Sequence, residues 1–396
     1  PHDVRAHLQG GVPVAEVEAK RALFEALGFD HAHAFAARAN DTIYYDFAPT
    51  LGEKALIRPL IENDPGVQGR AQVLRDALRR WWTEHSPHLA DLPTMRDLNA
   101  VRTEFLDTFV AGLLPLAVLD RFKLAGVIAG WWTETLPDFK TLLENGFAGV
   151  IDGWVDAIAD AVEDDEAAGP AFDPFGHKLV LRIMADYLEQ VATARTDIAR
   201  LKGEKEAFEA GNAPDDADEE ELANWNYARD LDRRAKELKA ENRDALKELA
   251  KLERTAVKAR ATTEDKRAAA SARTALQPVL DQLTTIEATL VPYEKIKTDI
   301  AAARSRYREL IAMFVDQLKA RCAAMREEQK RDLVLELFTQ DVQVGLDGAA
   351  GEKRQELVRF VGGLWAKYRV TLATLRNDRV RLESRLAAIT SRLGYA

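Results

Sequence analysis

LVLRIMADYLEQVATARTDIARLKGEKEAF, residues 179–208, decides how the rest of the chain is read. Val180, Met184, Tyr187, Val191, Ala194, Ile198, Leu201, Lys205 and Phe208 step by four and three. That period, held for about four heptads, keeps one apolar seam of a helix against a partner helix. Ala228, Leu231, Ala235, Leu238, Asn242, Ala245, Leu249, Leu252 and Ala256 repeat it after an acidic break. Asn242 falls on the seam, where a buried amide fixes register or the seam is wet. The break, Gly211 to Asp218 with Pro214 inside, is short enough to reverse the chain, so its flanking helices are expected to pack antiparallel. Glu219, Glu220 and Glu221 then suit a helix start.

Downstream, Ala256 to Ala275 is charged and alanine-rich and reads as exposed helix or linker. A third helix is expected from Gln277, with Pro278 in its first turn and a kink or split at Pro292. Leu283, Ile286, Leu290, Tyr293, Ile300, Tyr307, Leu310, Phe314 and Leu318 line it. Asp347 to Gly351 reads as a glycine-rich break. A last helix then carries Leu357, Val361, Leu364, Tyr368, Leu375, Leu382, Leu386, Ile389 and Leu393.

Upstream, Pro13 to Leu27 has helical spacing and stops at Gly28, and Thr42 to Phe47 (TIYYDF) has a short-strand composition. Asn63-Asp64-Pro65-Gly66 signals a turn before a helix from Val67 to about His85, which Pro87 is expected to block. Val73, Leu74, Ala77, Leu78 and Trp81 share its apolar face. Phe105, Phe109, Leu113, Leu116 and Leu119 fit one helix or two short ones bent at Pro115. Leu124 to Trp132 (LAGVIAGWW) reads as a helix buried on every side, and Trp131, Trp132 and Trp154 as core anchors. Glu163 to Gly169 with Pro170 closes this part as a solvated loop. The expected fold is mainly α, in four parts. These are a mixed α/β connecting segment (1–66), a helical bundle (67–170), an antiparallel helical hairpin (171–275) and long coiled-coil-like C-terminal helices (276–396).

With 396 residues and 47% hydrophobic content the chain can build such cores, and a net charge of −10 argues against a generally basic nucleic-acid binder. Cys322, the single cysteine, excludes an internal disulfide, suits a reducing cytoplasmic setting, and reads as a small buried residue. No apolar run approaches a membrane span and no signal peptide is read. The opening Pro1 suits a processed product or a piece of a longer protein.

Chemistry is sparse. No glycine-rich phosphate loop with lysine and hydroxyl is present, and no loop of Asn or Asp, two prolines and an aromatic to grip an extruded adenine. Asp173-Pro174-Phe175 reads as a helix-start turn. His31 and His33 would point the same way on a strand, and His85 and His88 share a helical face. Neither pair has a carboxylate or cysteine at a metal-site spacing, so both read as surface histidines. Nothing marks two of Glu134, Asp138, Glu163 and Asp164 as a catalytic pair. No catalytic, cofactor-binding or metal residue is therefore assigned, and the chain is not read as an enzyme by itself. Arg79-Arg80-Trp81-Trp82 reads as a helix with core tryptophans. Arg376, Arg379, Arg381 and Arg385, with Lys367 and Arg369 upstream, form a basic stretch that is either a solvated helix face or a DNA contact.

Leu119 to Trp132 (LDRFKLAGVIAGWW), Thr133-Glu134, Asp138 to Leu142 and Gly146 to Ile158 (GFAGVIDGWVDAI) resemble the C-terminal region of the large M (modification) subunits of type I restriction–modification systems. The ending, with Trp365, Lys367, Tyr368, Thr371-Leu372 and Leu393-Gly394-Tyr395, is similar, as is the order of helix, strand and Trp82–Pro87 helix end upstream. The resemblance is patchy over most of the chain and concentrated in 119–158. It implies a DNA adenine-N6 methyltransferase that uses S-adenosylmethionine, with a DNA specificity subunit, a motor-nuclease subunit and double-stranded DNA as partners. The family's cofactor loop and base-gripping tetrapeptide belong to a preceding catalytic domain, so no catalytic residue transfers. What the resemblance offers this chain is docking and DNA clamping, with Leu357, Val361, Leu364, Tyr368, Leu375, Leu382, Leu386 and Ile389 as the candidate partner-helix interface. The alternative is a free-standing coiled-coil scaffold or anti-phage accessory protein without methyltransferase activity.

Overall fold

Val12–Pro13 (β1), Phe35–Arg38 (β2) and Asp41–Phe47 (β3) form an antiparallel sheet of order β1-β3-β2. Val12 pairs with Tyr45, Phe35 with Phe47, and a bulge lies between Ala37 and Arg38. The helix expected over 13–27 is two, Val14–Glu18 (α1) and Arg21–Leu27 (α2), the second ending on left-handed Gly28 (φ 69°). His31 and His33 sit on a 3-10 turn, not a strand, because the Asp30 carboxylate accepts from the Ala32 amide and starts a tight turn there. This computed structural model describes residues 10–39, 41–163, 173–213, 224–258, 260–370 and 372–392. The chain is mainly α and forms two compact units, Pro1–Asp156 with Ala324–Ala396, and Ala157–Ala323.

In the first unit, Ile57–Glu62 (α3) leads into Pro65–Ala90 (α4). The Asn-Asp-Pro-Gly signal is a helix start: buried Asp64 accepts from the Gly66 and Val67 amides, and Pro65 occupies the first turn, where its missing N–H costs nothing. Gly66 is required by proximity, since a Cβ there would lie 1.9 Å from the Gly28 carbonyl oxygen. α4 continues past Pro87, contrary to expectation. The proline forfeits one backbone hydrogen bond, but the extra turn buries Leu89 completely.

Leu98–Leu113 (α5) returns against α4, and a 3-10 turn at Leu114–Leu116 marks the expected bend. Arg121–Glu163 (α6) is kinked where Gly146 leaves helical geometry (φ 70°, ψ −170°). The 124–132 stretch is buried on one side only: Leu124, Ile128, Trp131 and Trp132 face inward, while Gly126, Ala129 and Gly130 face solvent. Small residues made the pattern look apolar all round without needing cover. Trp81, Trp82, Phe105, Trp131, Trp132, Phe139 and Phe338 interlock mostly edge to face, with Trp154 closing on Phe338.

The second unit holds Lys178–Ile183 (α7), Ala185–Ala210 (α8), Tyr227–Glu241 (α9), Arg243–Ala256 (α10) and the 61-residue Thr263–Ala323 (α11). α8 runs antiparallel to α11, with Tyr187 OH donating to Leu310 O at one end and Phe208 stacked on Tyr293 at the other. α9 and α10 continue antiparallel along the same helix: Leu231 and Ala235 cluster with Leu283 and Ile286, and Arg273 pairs with Glu253. The expected reversal between the first two heptad stretches is therefore corrected. Both seams face α11, so α8 and α9 run in the same direction, and the reversal comes between α10 and α11. Asn242 ends α9, its side-chain amide donating to Leu238 O, which serves a helix-end carbonyl rather than a seam partner.

α11 begins at Thr263, not near Gln277, and Pro278 and Pro292 both lie inside it. Leu276, Leu283, Ile286 and Ile300 are buried on either side of the two prolines, which holds the helix across them. Cys322 is buried, as expected. The loop expected over Glu163–Pro170 lies outside the described residues beyond Glu163, and so do Pro214 and Glu219–Glu221.

Returning to the first unit, Glu327–Tyr368 (α12) passes straight through Asp347–Gly351. The glycines do not break it because Leu346, Ala350 and Leu357 are all buried, and that packing outweighs the roughly 1 kcal/mol helix cost of each glycine. The helix expected to carry Leu357 through Leu393 is divided instead: α12 stops at Tyr368, Arg369 and Val370 bend, and Leu372–Arg392 (α13) follows. Leu393 to Tyr395 lie outside the described residues. Among the described residues no helix is long and apolar enough to cross a membrane.

Candidate docking helix and histidine cluster

The eight residues of the expected interface fall into two environments. Leu357, Val361, Leu364 and Tyr368 are buried in one core with Val17, Phe24, Leu27, Ile57 and Ile61. A sheet of three short strands cannot bury its own apolar face, and α12 covers it. The Trp365 ring lies 4.7 Å from that of Phe47, and Lys367 and Tyr368 both donate to Glu16. The expected interface is thus narrowed, since these four side chains are occupied by the chain's own fold.

The other four are on α13 and face water: Leu375 is 53% exposed, Leu382 59%, Leu386 61% and Ile389 47%. With Arg379 they step by four, three, four and three, a seam of the kind that needs a partner helix. Arg376 and Arg385 flank this seam, and Arg381 lies on the far side. Arg379 pairs with Glu383 and Arg381 with Asp378, both exposed pairs within the helix. The upstream cations are used elsewhere. Glu16 holds Lys367, and the Arg369 guanidinium sits 5.3 Å from the Trp365 ring centroid.

Of the other residues singled out by sequence, Arg79 and Arg80 are exposed beside buried Trp81 and Trp82. Asp138 accepts from Trp154 Nε1 at 3.0 Å, and Glu134 is exposed. Asp173 accepts from the Phe175 amide, the expected turn before α7. His33 Nδ1 lies 2.6 Å from Asp64 Oδ2, beside the start of α4.

His85 and His88 do acquire a carboxylate. α4 and α5 pack antiparallel, and Trp81 Nε1 donates to Thr108 Oγ1 at 2.9 Å. Four residues later on α4 and four earlier on α5, His85 meets Glu104, with Nδ1 2.7 Å from Oε1. His88 Nδ1 lies 2.6 Å from the same oxygen and 2.8 Å from Oε2. One donor atom from each of the three residues falls within 4.8 Å of the others. The side chains of His85, Glu104 and His88 are 12%, 29% and 46% exposed, a gradient from the aromatic core to solvent. Spacing along the chain hides the carboxylate, but antiparallel register from the Trp81–Thr108 pair would have found it.

His177 caps α7, its Nδ1 accepting from the Leu179 amide at 3.2 Å. Burial, with the neighbouring Lys178 charge, holds its imidazole down at about 4. On α8, hydrogen bonds from Lys205 and then Tyr293 lower Glu209 to about 2, while burial and that same bond raise Tyr293 to about 12. Both are structural ties of the second unit. No known protein family, curated protein or solved structure matches this chain.

Proposed function

We propose that the chain is the C-terminal docking and DNA-clamping part of a type I restriction–modification M subunit, which in full methylates adenine N6 in DNA with S-adenosylmethionine. The observation that carries this reading is α13, whose seam of Leu375, Leu382, Leu386 and Ile389 is left open to water. Burying each leucine against a partner would gain about 1.5–3 kcal/mol, so an open four-residue seam is a strong docking element. The occupant is a long helix of the DNA specificity subunit. Arg376 and Arg385 beside the seam suit acidic positions flanking that helix, and Arg381 on the far side suits a DNA phosphate. The similarity of residues 119–158 to M subunits supports the same assignment, and the motor-nuclease subunit is a further partner.

The test is co-purification of the M subunit with its specificity subunit after deleting residues 372–396, which spares the buried part of α12. Assembly and DNA methylation are expected to be lost, and their retention would overturn the docking role. The second reading, a free-standing coiled-coil scaffold or anti-phage accessory protein, draws on the second unit, where α8, α9 and α10 are arrayed along one 61-residue helix. A neighbouring reading frame with an Asn-Pro-Pro-aromatic motif favours the methyltransferase, and an isolated gene favours the scaffold.

A further inference from the structure

We propose that His85, His88 and Glu104 form a binding site for one divalent transition-metal ion, Zn2+ by its ligand chemistry, that clasps the end of α4 to α5. Two imidazoles and a carboxylate are a ligand set that Zn2+ takes readily, and three protein ligands leave a fourth tetrahedral position for water. The three donor atoms already converge. A tetrahedral ion with bonds near 2.1 Å needs its ligands about 3.4 Å apart. The nitrogen–oxygen distances of 2.6–2.8 Å must therefore open by about 0.7 Å, a movement that exposed His88 and partly exposed Glu104 can supply by side-chain rotation. Each imidazole then coordinates through Nδ1 and keeps its hydrogen on Nε2.

Two independent features prepare the place. The His85 ring is held between Trp81 and Phe105, with centroids 5.7 and 6.4 Å away, so one ligand is oriented before any ion arrives. Thr108 Oγ1 accepts from Trp81 Nε1 and donates to Glu104 O, fixing the α5 turn that carries the carboxylate. His88 lies in the last turn of α4, where the helix dipole places a partial negative charge that draws a cation toward it. Its exposed ring leaves a path from solvent. Among the described residues no other group of three such side chains converges in this way.

The experiment uses the full chain without an affinity tag, stripped with chelator, and titrates Zn2+ and Co2+ alone by calorimetry and visible absorption. One ion per chain is expected, with Co2+ giving the intense bands of tetrahedral coordination and Zn2+ raising the melting temperature in a concentration-dependent way. His88→Ala and Glu104→Gln are each expected to weaken binding at least about tenfold and to abolish the thermal shift, while His31→Ala leaves both unchanged. His88 is exposed and Gln matches Glu in size, so both variants keep the fold, which far-ultraviolet circular dichroism checks. Octahedral Co2+ spectra in the unaltered chain, or wild-type affinity in both variants, would overturn the proposal.

Discussion

Leu357 and Leu386 occupy comparable positions in the heptad pattern of the last hundred residues, yet alanine at each is expected to act on different properties. Leu357 is fully buried among Val17, Phe24, Ile57 and Ile61. Leu357→Ala loses the transfer energy of three carbons and leaves a cavity where α12 packs on the N-terminal helices, about 3 kcal/mol together. With a urea slope of about 2 kcal/mol per molar, the midpoint falls by about 1.5 M. Leu386 is mostly exposed, so Leu386→Ala changes stability by less than about 0.5 kcal/mol and moves the midpoint by less than about 0.3 M. The same change removes a docking side chain and is expected to weaken binding to the specificity subunit by tenfold or more. Tryptophan emission is the suitable probe, because of the seven tryptophans all but Trp225 belong to the first unit, which contains Leu357. A midpoint drop for Leu386→Ala comparable to that of Leu357→Ala would refute the division of the seam. If that drop depended on protein concentration, a second copy would be the cover.

Gly66→Ala forces a Cβ to 1.9 Å from the Gly28 carbonyl, and Gly28 is itself left-handed. The end of α2 must move off the start of α4, at a cost of about 2 kcal/mol or more, visible as a lower melting temperature. His177 titrates near 6.5 when unfolded and at about 4 when folded, so between these values the unfolded state binds more protons and stability rises with pH. The second unit is therefore expected to keep this contribution above pH 6.5 and lose it as pH falls toward 4. The full shift corresponds to about 3 kcal/mol, which solvent at the partly exposed ring reduces to about 1 kcal/mol. His177→Asn, which keeps a capping oxygen, should flatten that pH dependence in urea melts followed by circular dichroism. If α13 also binds DNA, neutralising Arg376, Arg379, Arg381 and Arg385 reduces the slope of log affinity against log salt by about 0.9 for each phosphate no longer neutralised; an unchanged slope removes DNA binding from this helix.

Much of the helical content was legible because period, prolines and glycines act locally, but partner choice is not local. A seam at 179–208 and another at 228–256 each state that a helix needs cover. Neither states that both are covered by α11, which makes the chain step forward rather than turn back. Turn-reading also failed where packing outweighed propensity. Pro87, Pro278, Pro292, Gly348 and Gly351 each weaken a helix by an amount that nearby buried leucines exceed. One missed boundary did carry a local sign. Thr262 and Asp265 form a reciprocal cap, each backbone amide bonded to the other's side chain, and Thr-x-x-Asp ahead of an alanine-rich run announces the start of α11.

The bend at Arg369 and Val370 separates two uses of a single sequence pattern. Before it, leucines at steps of three and four build the first unit's own core, and Lys367, Tyr368 and Trp365 tie that stretch to Glu16 and Phe47. Past it, the same steps continue on a helix whose Leu375, Leu382 and Leu386 stay in water, and where Arg379 and Arg381 bond to carboxylates one turn away. Exposed pairs of that kind contribute at most about 1 kcal/mol, so exchanging them for a partner's acidic side chains or a DNA phosphate is inexpensive. A residue's position in the heptads therefore does not say whether it serves folding or docking. Its side of the bend does, and this is why deleting 372–396 can remove the docking seam without touching the buried part of α12.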